Sequence, residues 1–330
     1  TDVTGNTVTT TKTVKVVPPP TAVPSNLALD AGSDSGLAGD LITNVALPKI
    51  AGNGTLFNTQ VEILDAAGAV VGTGVSSGTG TWEVTLSVPL ADGAHTLTAR
   101  YKNPAGTGAG VTLNINIDTQ APAFAVGAAI SLAVASDTGV IGDTVTNSTT
   151  PTIKGSGAPA GSSVFVTFAA TGQTTLTKTV TAAADGTFTA VPLSALAGGA
   201  GTGWTVTARV RDTAGNLSSA ITTAITVDTQ GFAVPTITDP GASLSASPFV
   251  AGTASAGTVV MLYNNVTNAL VGSATADSAG NWQAQLLSVN KSGTLTLRAE
   301  SADAAANITS ATRAITVDTA IQAPVAPRAV

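Results

Sequence analysis

Apolar and polar residues alternate with a period of two over short stretches of this chain. In Thr96-Leu-Thr-Ala-Arg100, Thr205-Val-Thr-Ala-Arg209 and Thr294-Leu-Thr-Leu-Arg298 every second residue is apolar. That spacing puts Leu97 with Ala99, Val206 with Ala208, and Leu295 with Leu297 on one face of a strand. A second alternating stretch follows each of these: Ile115-Asn-Ile-Asp118, Ile225-Thr-Val-Asp228 and Ile315-Thr-Val-Asp318. Turns such as Asp212-Thr-Ala-Gly-Asn216 lie between them, with Gly and Asn to take the positive φ that a hairpin demands. Each pair therefore reads as the last hairpin of a unit, its strands F and G. Trp82, Phe188, Trp204 and Trp282 fall within strands, where they are expected to be core residues.

The three endings stand roughly 110 and 90 residues apart, near the roughly 100 residues of a seven-stranded sandwich. The chain thus divides into three sandwich units, 21–120, 121–230 and 231–320, with a linker at 321–330. Residues 1–20 are the odd piece. Asp2-Val-Thr-Gly-Asn6 and Thr13-Val-Lys-Val-Val17 match a closing hairpin and its last strand, and Pro18-Pro-Pro20 follows as a stiff spacer. This stretch reads as the tail of a preceding repeat, so the 330 residues read as a segment of something longer.

Composition supports strands over helices. There are 35 Gly and 16 Pro but one Met, and charged residues make up 10% of the chain. The absence of Cys removes disulfides, thiolate metal sites and thiol nucleophiles. A net charge of −6 leaves no basic stripe for nucleic acid, and no apolar run approaches the roughly 20 residues of a membrane span. Gly74-Val-Ser76-Ser-Gly78 has the spacing of a nucleophile elbow, but it sits in a Gly-rich hairpin region and His95 is the single His. No enzyme is expected.

Of the 19 acidic residues only Glu62, Glu83 and Glu300 are Glu; the rest are Asp, a turn and loop residue. Two loops stand out: Ser33-Asp-Ser-Gly-Leu-Ala-Gly-Asp40 and Ser136-Asp-Thr-Gly-Val-Ile-Gly-Asp143. Strand parity puts each such loop, between strands A and B, at the pole where its unit ends, beside the Asp closing strand G. The F-G turn of the next unit faces the same pole. Asp34, Asp40 and Asp118 are thereby expected to meet Asp212, and Asp137, Asp143 and Asp228 to meet Asp303, with Asn216 and Asn307 nearby. So many carboxylates call for a cation, and hard oxygens suit Ca²⁺. The alternative is that these Asp only stabilise turns. Before the first unit, Val17-Pro-Pro-Pro20 replaces the Asp ending and Asn103 replaces the turn Asp, so no Ca²⁺ is expected there. In the third unit Asp239-Pro-Gly replaces the double-Asp loop, leaving Asp318 at most a weakened site.

With SDSGLAGDLITN, SDTGVIGDTVTN, ADGAHTLTA, DTAGN and VDTQ in this register, residues 21 to 320 resemble the bacterial Ig-like tandem repeats of large secreted adhesins, RTX-type and biofilm-associated proteins among them. The resemblance implies Ig-like sandwiches in an elongated rod, type I secretion, extracellular display at the bacterial surface, and Ca²⁺ at interdomain linkers. By matching position it supports Asp34, Asp40, Asp118, Asp137, Asp143, Asp212 and Asp228 as ligands. Asp303 matches less well, because Asp303-Ala-Ala-Ala-Asn307 lacks the Gly. The expected function is a structural stalk for cell adhesion or biofilm formation. Its partners are neighbouring repeats of the same chain, with a receptor reached through a distal module, and the fragment itself is expected to be monomeric. Two other readings stay open: a filament subunit assembling by β-strand addition through Thr7–Val17, and a carbohydrate- or protein-binding module.

Overall fold

In the computed structural model the described residues are 3–5, 7, 9–12, 16–241, 247–287 and 292–318. They fall into two compact units: the residues up to Ala123 with Val210–Ser219, and Phe124–Arg209 with the residues from Ala220 on.

The first repeat contains β1 (Ser25–Leu29), β2 (Ile42–Thr43), β3 (Lys49–Asn53), β4 (Gln60–Leu64), β5 (Val70–Val75), β6 (Trp82–Thr85), β7 (Gly93–Asn103) and β8 (Gly106–Ile117). One sheet has the order β1-β3-β6 and the other β2-β8-β7-β4-β5. Alternation fills the space between them: Ile50, Val61, Ile63, Val84, Leu97, Tyr101 and Ile117 form one buried cluster around Trp82.

The second repeat follows the same plan with β9 (Ile130–Leu132), β10 (Val145–Thr146), β11 (Ile153–Gly155), β12 (Ser163–Ala169), β13 (Leu176–Thr181), β14 (Phe188–Ala190), β15 (Thr202–Arg211) and β16 (Ile221–Val227). Its sheets run β14-β11-β9 and β10-β16-β15-β12-β13. The third repeat has β17 (Phe249–Thr253), β18 (Val259–Asn264), β19 (Leu270–Thr275), β20 (Asn281–Gln285), β21 (Gly293–Ala302) and β22 (Ile308–Val317), in sheets β17-β20 and β19-β18-β21-β22. Its core gathers Val250, Leu262, Trp282, Leu297 and Ile315.

The expected F-G hairpins are β7–β8, β15–β16 and β21–β22, all antiparallel. Trp82, Trp204 and Trp282 are buried, at 3%, 2% and 3% exposure. A glycine faces the aromatic across the sheet in each repeat: Gly52 opposite Trp82, Gly155 opposite Phe188 and Gly252 opposite Trp282. A Cβ at any of the three would run into the ring, so the large side chain occupies the volume that the glycine leaves.

One feature departs from a purely antiparallel sandwich. The double-Asp loop joins the first strand to a two-residue strand, β2 or β10, and these pair in parallel with β8 and β16. The loop thus carries the first strand across from one sheet to the other before the next long strand begins. Two residues cannot show a period, so the alternation pattern gave no sign of this switch.

For the expected N-terminal tail, Asp2, Asn6 and Thr13–Lys15 lie outside the described residues, while Val16–Pro24 belong to no strand. The 321–330 linker also lies outside.

Candidate functional site

Each double-Asp loop is built by its own side chains. In the first, Ser33 Oγ accepts the Lys49 N–H at 2.9 Å, and Asp34 Oδ2 accepts the Gly39 N–H at 2.5 Å. Ser35 Oγ accepts the Asn44 N–H at 2.8 Å, and Asp40 Oδ1 accepts the Ile42 N–H at 2.9 Å. Short carboxylates and hydroxyls at this spacing satisfy amides that a loop of this curvature cannot pair with other backbone. The second loop repeats the scheme. Ser136 takes the Thr152 N–H, Asp137 the Gly142 N–H at 2.6 Å, Thr138 the Asn147 N–H and Asp143 the Val145 N–H.

The short parallel strands then fix the end of the closing strand against the loop. The Asp118 N–H donates to Thr43 O at 2.9 Å, and the Asp228 N–H donates to Thr146 O at 2.8 Å. Each Asp folds its Oδ1 onto the amide two residues on, Gln120 or Gln230.

The turn of the following repeat completes the arrangement. Asp212 accepts both the main-chain N–H of Asn216, at 2.8 Å, and its Nδ2, at 3.0 Å. Asn216 Nδ2 also donates to the main-chain oxygen of Asp118 at 2.7 Å. Asp303 and Asn307 repeat this, with Asn307 Nδ2 reaching Asp228 O at 2.9 Å. The missing glycine of the Asp303 turn changes little: Ala306 takes φ 64° where Gly215 has 93°.

The loop aspartates, the strand-end aspartates and the turn aspartates stand in the three elements named for them. Asn216 and Asn307 are the groups that join turn to strand end. Among the described residues no three carboxylate or imidazole groups lie close enough to hold a metal on their own. Main-chain or amide oxygens would have to complete any cation shell.

One feature does fit a cation. Asp34 Oδ1 and Asp137 Oδ1 are buried and have no hydrogen-bond partner, and Asp137 as a whole is 8% exposed. They occupy the same position in the two loops. A buried carboxylate oxygen without a donor costs free energy unless a cation or a water molecule meets it. Oxygen-only donors of this kind suit Ca²⁺ rather than a transition metal.

Outside the two loops the sequence variations act as substitutes. Asn103 donates its Nδ2 to Pro18 O at 2.8 Å and accepts the Ala105 N–H on Oδ1. In the third repeat Asp239 accepts from Gly241 N–H and from Arg313, at 3.2 Å, and these bonds hold its carboxyl below the usual range. Asp318 accepts from Ser292 Oγ at 3.3 Å.

Comparison with known families decides the class. The bacterial Ig-like domain matches residues 21–119, 125–229 and 242–319, most of the chain. The chain belongs to the bacterial Ig-like domain family. Similar solved structures include a tetra-tandem repeat from the extending region of a large adhesion protein, at 20% identity and TM-score 0.28, covering 91% of this chain and 74% of that one. A Ca²⁺-stabilized, ice-binding adhesin of an Antarctic bacterium is 20% identical with TM-score 0.36, over 92% and 75%. A structure from a 1.5-MDa bacterial ice-binding adhesin is 21% identical with TM-score 0.31, over 89% and 98%. No curated protein matches the sequence.

In this bacterial Ig-like array one carboxylate contact escapes the sequence pattern. Asp92 accepts the Thr119 N–H at 2.8 Å, the Thr119 hydroxyl at 2.9 Å and Gln120 Nε2 at 2.9 Å. The Gln120 bond, followed by those from Thr119, draws its carboxyl below the usual range. Ser76 of the elbow-like motif is 1% exposed, and its Oγ is engaged with Thr59 N–H and O. Among the described residues no helix is long and apolar enough to cross a membrane.

Proposed function

We propose that this chain is a stalk segment of a bacterial cell-surface adhesin, secreted by a type I system and extending a distal binding module away from the cell. Its three Ig-like domains, 21–120, 121–230 and 231–320, serve as spacers, and its work is mechanical, not catalytic. In this reading Ca²⁺ binds at two junctions, drawing its ligands at one from among Asp34, Asp40, Asp118 and Asp212 and at the other from among Asp137, Asp143, Asp228 and Asp303, with main-chain or amide oxygens completing each shell. Bound there, the ion supplies positive charge that neutralises the gathered carboxylates and couples loop, strand end and next turn.

The observation that carries the reading is the pair of buried, unpartnered oxygens, Asp34 Oδ1 and Asp137 Oδ1, at one position of two separate loops. The three-fold family match supports the spacer role.

Small-angle scattering of the fragment in millimolar Ca²⁺ and again after chelation tests it. A long, stiff particle that becomes flexible on chelation is the expected result. An unchanged profile would reduce the Asp loops to ordinary turns and remove calcium from the function.

A further inference from the structure

Three times an asparagine of an F-G turn grasps a main-chain oxygen at the end of the preceding segment. Asn216 Nδ2 donates to Asp118 O at 2.7 Å, Asn307 Nδ2 to Asp228 O at 2.9 Å and Asn103 Nδ2 to Pro18 O at 2.8 Å. Asp118 and Asp228 are equivalent, each following the last apolar residue of a closing strand, Ile117 and Val227, and Pro18 lies one residue beyond Val17, which takes that place before the first repeat. The asparagines are not equivalent. Asn216 and Asn307 are the last residues of five-residue turns that begin with Asp212 and Asp303, whereas Asn103 is the first residue of its turn. Sequences that differ in turn length and in asparagine position each deliver an amide donor to the end of the preceding segment. Local turn stability does not require this, since Asp212 and Asp303 already bond the asparagine within the turn.

The two aspartate-bearing junctions add contacts made by protein groups alone. Ser35 Oγ donates to Ala214 O at 2.6 Å, and Thr138 Oγ1 donates to Ala305 O at 2.7 Å. The next amides follow: Leu37 N–H to Thr213 O at 3.3 Å and Val140 N–H to Ala304 O at 3.1 Å. Gly36 and Gly139, at φ 74° and 73°, lie so close to Thr213 O and Ala304 O that a Cβ would collide with those carbonyls. Ala214 and Ala305 are 0% exposed, so the carbonyls accept these bonds with little competition from water.

From these contacts we infer that the F-G turn of each repeat is a socket for the end of the preceding repeat, closed by a metal-independent clasp. Its partner is the carbonyl at position 18, 118 or 228, and the Ser or Thr hydroxyl with its neighbouring glycine forms the second jaw where the double-Asp loop is present. The asparagine is a positioning residue. The inference rests on the stalk reading for its biological use but not on calcium, and it separates two roles. The clasp sets which elements meet, and any bound cation adds to a contact already made. The first repeat then keeps a one-jawed clasp on the proline segment although both aspartates are lost there.

Hydrogen exchange of the full 330-residue chain, followed by mass spectrometry in excess chelator and again in Ca²⁺, tests this. In chelator the wild-type peptides covering 33–44 and 210–219 are expected to be protected. Asn216→Ala is expected to speed exchange of the 33–44 peptide by about 2–10-fold, the range of one lost hydrogen bond. Ser35→Ala is expected to do the same to the 210–219 peptide. A purely local role would confine each effect to the mutated segment. Unprotected wild-type segments in chelator, or effects that never cross from one segment to the other, would overturn the clasp. Identical wild-type exchange with and without Ca²⁺ would instead count against calcium and leave the clasp standing.

Discussion

Lys102 Nζ lies 2.7 Å from Glu62 Oε1, and Arg100 donates to the other oxygen of the same carboxylate at 2.9 and 3.0 Å. Glu62 faces away from the apolar core formed by its neighbours Val61 and Ile63, yet it is only 2% exposed. Burial pushes its carboxyl up, but the hydrogen bonds and charges of Lys102 and Arg100 outweigh burial and leave it below the usual 4.5. A carboxyl depressed in the folded state stabilises the fold above its unfolded value, and that contribution is lost as pH falls through the folded value. Glu62→Gln is therefore expected to lower stability by about 1–3 kcal/mol at neutral pH. The gap between variant and wild type should narrow as pH drops below the ordinary carboxylate range. Thermal unfolding followed from pH 7 into acid checks both points, and a gap independent of pH would contradict them.

The glycine opposite each core aromatic gives a second expectation. A Cβ at Gly155 would meet the ring of Phe188, and one at Gly52 the ring of Trp82. Neither ring has free space to enter, since Phe188 and Trp82 are 4% and 3% exposed in packed cores. Gly155→Ala and Gly52→Ala are each expected to cost about 1–3 kcal/mol, the usual penalty for overpacking. Denaturant titrations read this out. For Gly52→Ala, a background with Trp204 and Trp282 replaced by Phe isolates the emission of Trp82, which should shift to the red. A neutral outcome at both positions would mean that the Gly–aromatic pairing has no energetic weight.

Two glycines of one loop separate backbone strain from contact. Gly36 and Gly39 have similar positive φ, 74° and 86°, but nothing lies within 4 Å of a Cβ at Gly39, while one at Gly36 meets Thr213 O and the carbonyl carbon of Ala214. Gly39→Ala should therefore cost only the strain of a left-handed alanine, about 1–2 kcal/mol. Gly36→Ala should cost more, because a main-chain carbonyl cannot rotate away as a side-chain tip can. Calorimetry on the two variants gives the comparison, and equal losses would show that the contact at Gly36 is slack.

How much of this was legible beforehand depends on whether a feature repeats and whether it is local. The F-G hairpins were legible because Leu97 and Ala99, Val206 and Ala208, and Leu295 and Leu297 alternate over long strands. The double-Asp loops were legible because a Ser, two Asp and two Gly recur at the same offsets. The parallel switch strands were not, since Ile42–Thr43 and Val145–Thr146 are two residues each. Nor was the clamp of Asp92 on Thr119 and Gln120, whose partners are separated by 27 and 28 residues. Strand parity did place Asn216 beside Asp118, 98 residues away, but the amide-to-carbonyl bond that joins them has no local pattern to announce it. For the aspartates, the expectation of a crowd of carboxylates overlooked how many of their oxygens the loop amides already occupy.

The last expectation turns on the oxygens that those amides leave unoccupied. Asp34 and Asp137 each give Oδ2 to a loop N–H, from Gly39 and Gly142, and leave Oδ1 buried without a partner. Asparagine at these positions keeps an oxygen for the amide and replaces the unpartnered anionic oxygen with an uncharged NH₂. Without metal, Asp34→Asn with Asp137→Asn should thus be as stable as wild type or more so, since it removes buried charge that nothing neutralises. With metal the order should reverse. A ligand that binds only the folded state at 100 times its dissociation constant stabilises by about 2.7 kcal/mol, and the wild type alone would gain this. Thermal unfolding of both proteins in chelator and across a Ca²⁺ series reads the crossing directly. Equal calcium-induced increments in the two would mean that Oδ1 of Asp34 and Asp137 is not where the cation sits. A variant less stable than wild type in chelator would mean that the carboxylates stabilise their loops through something other than the ion they are proposed to hold.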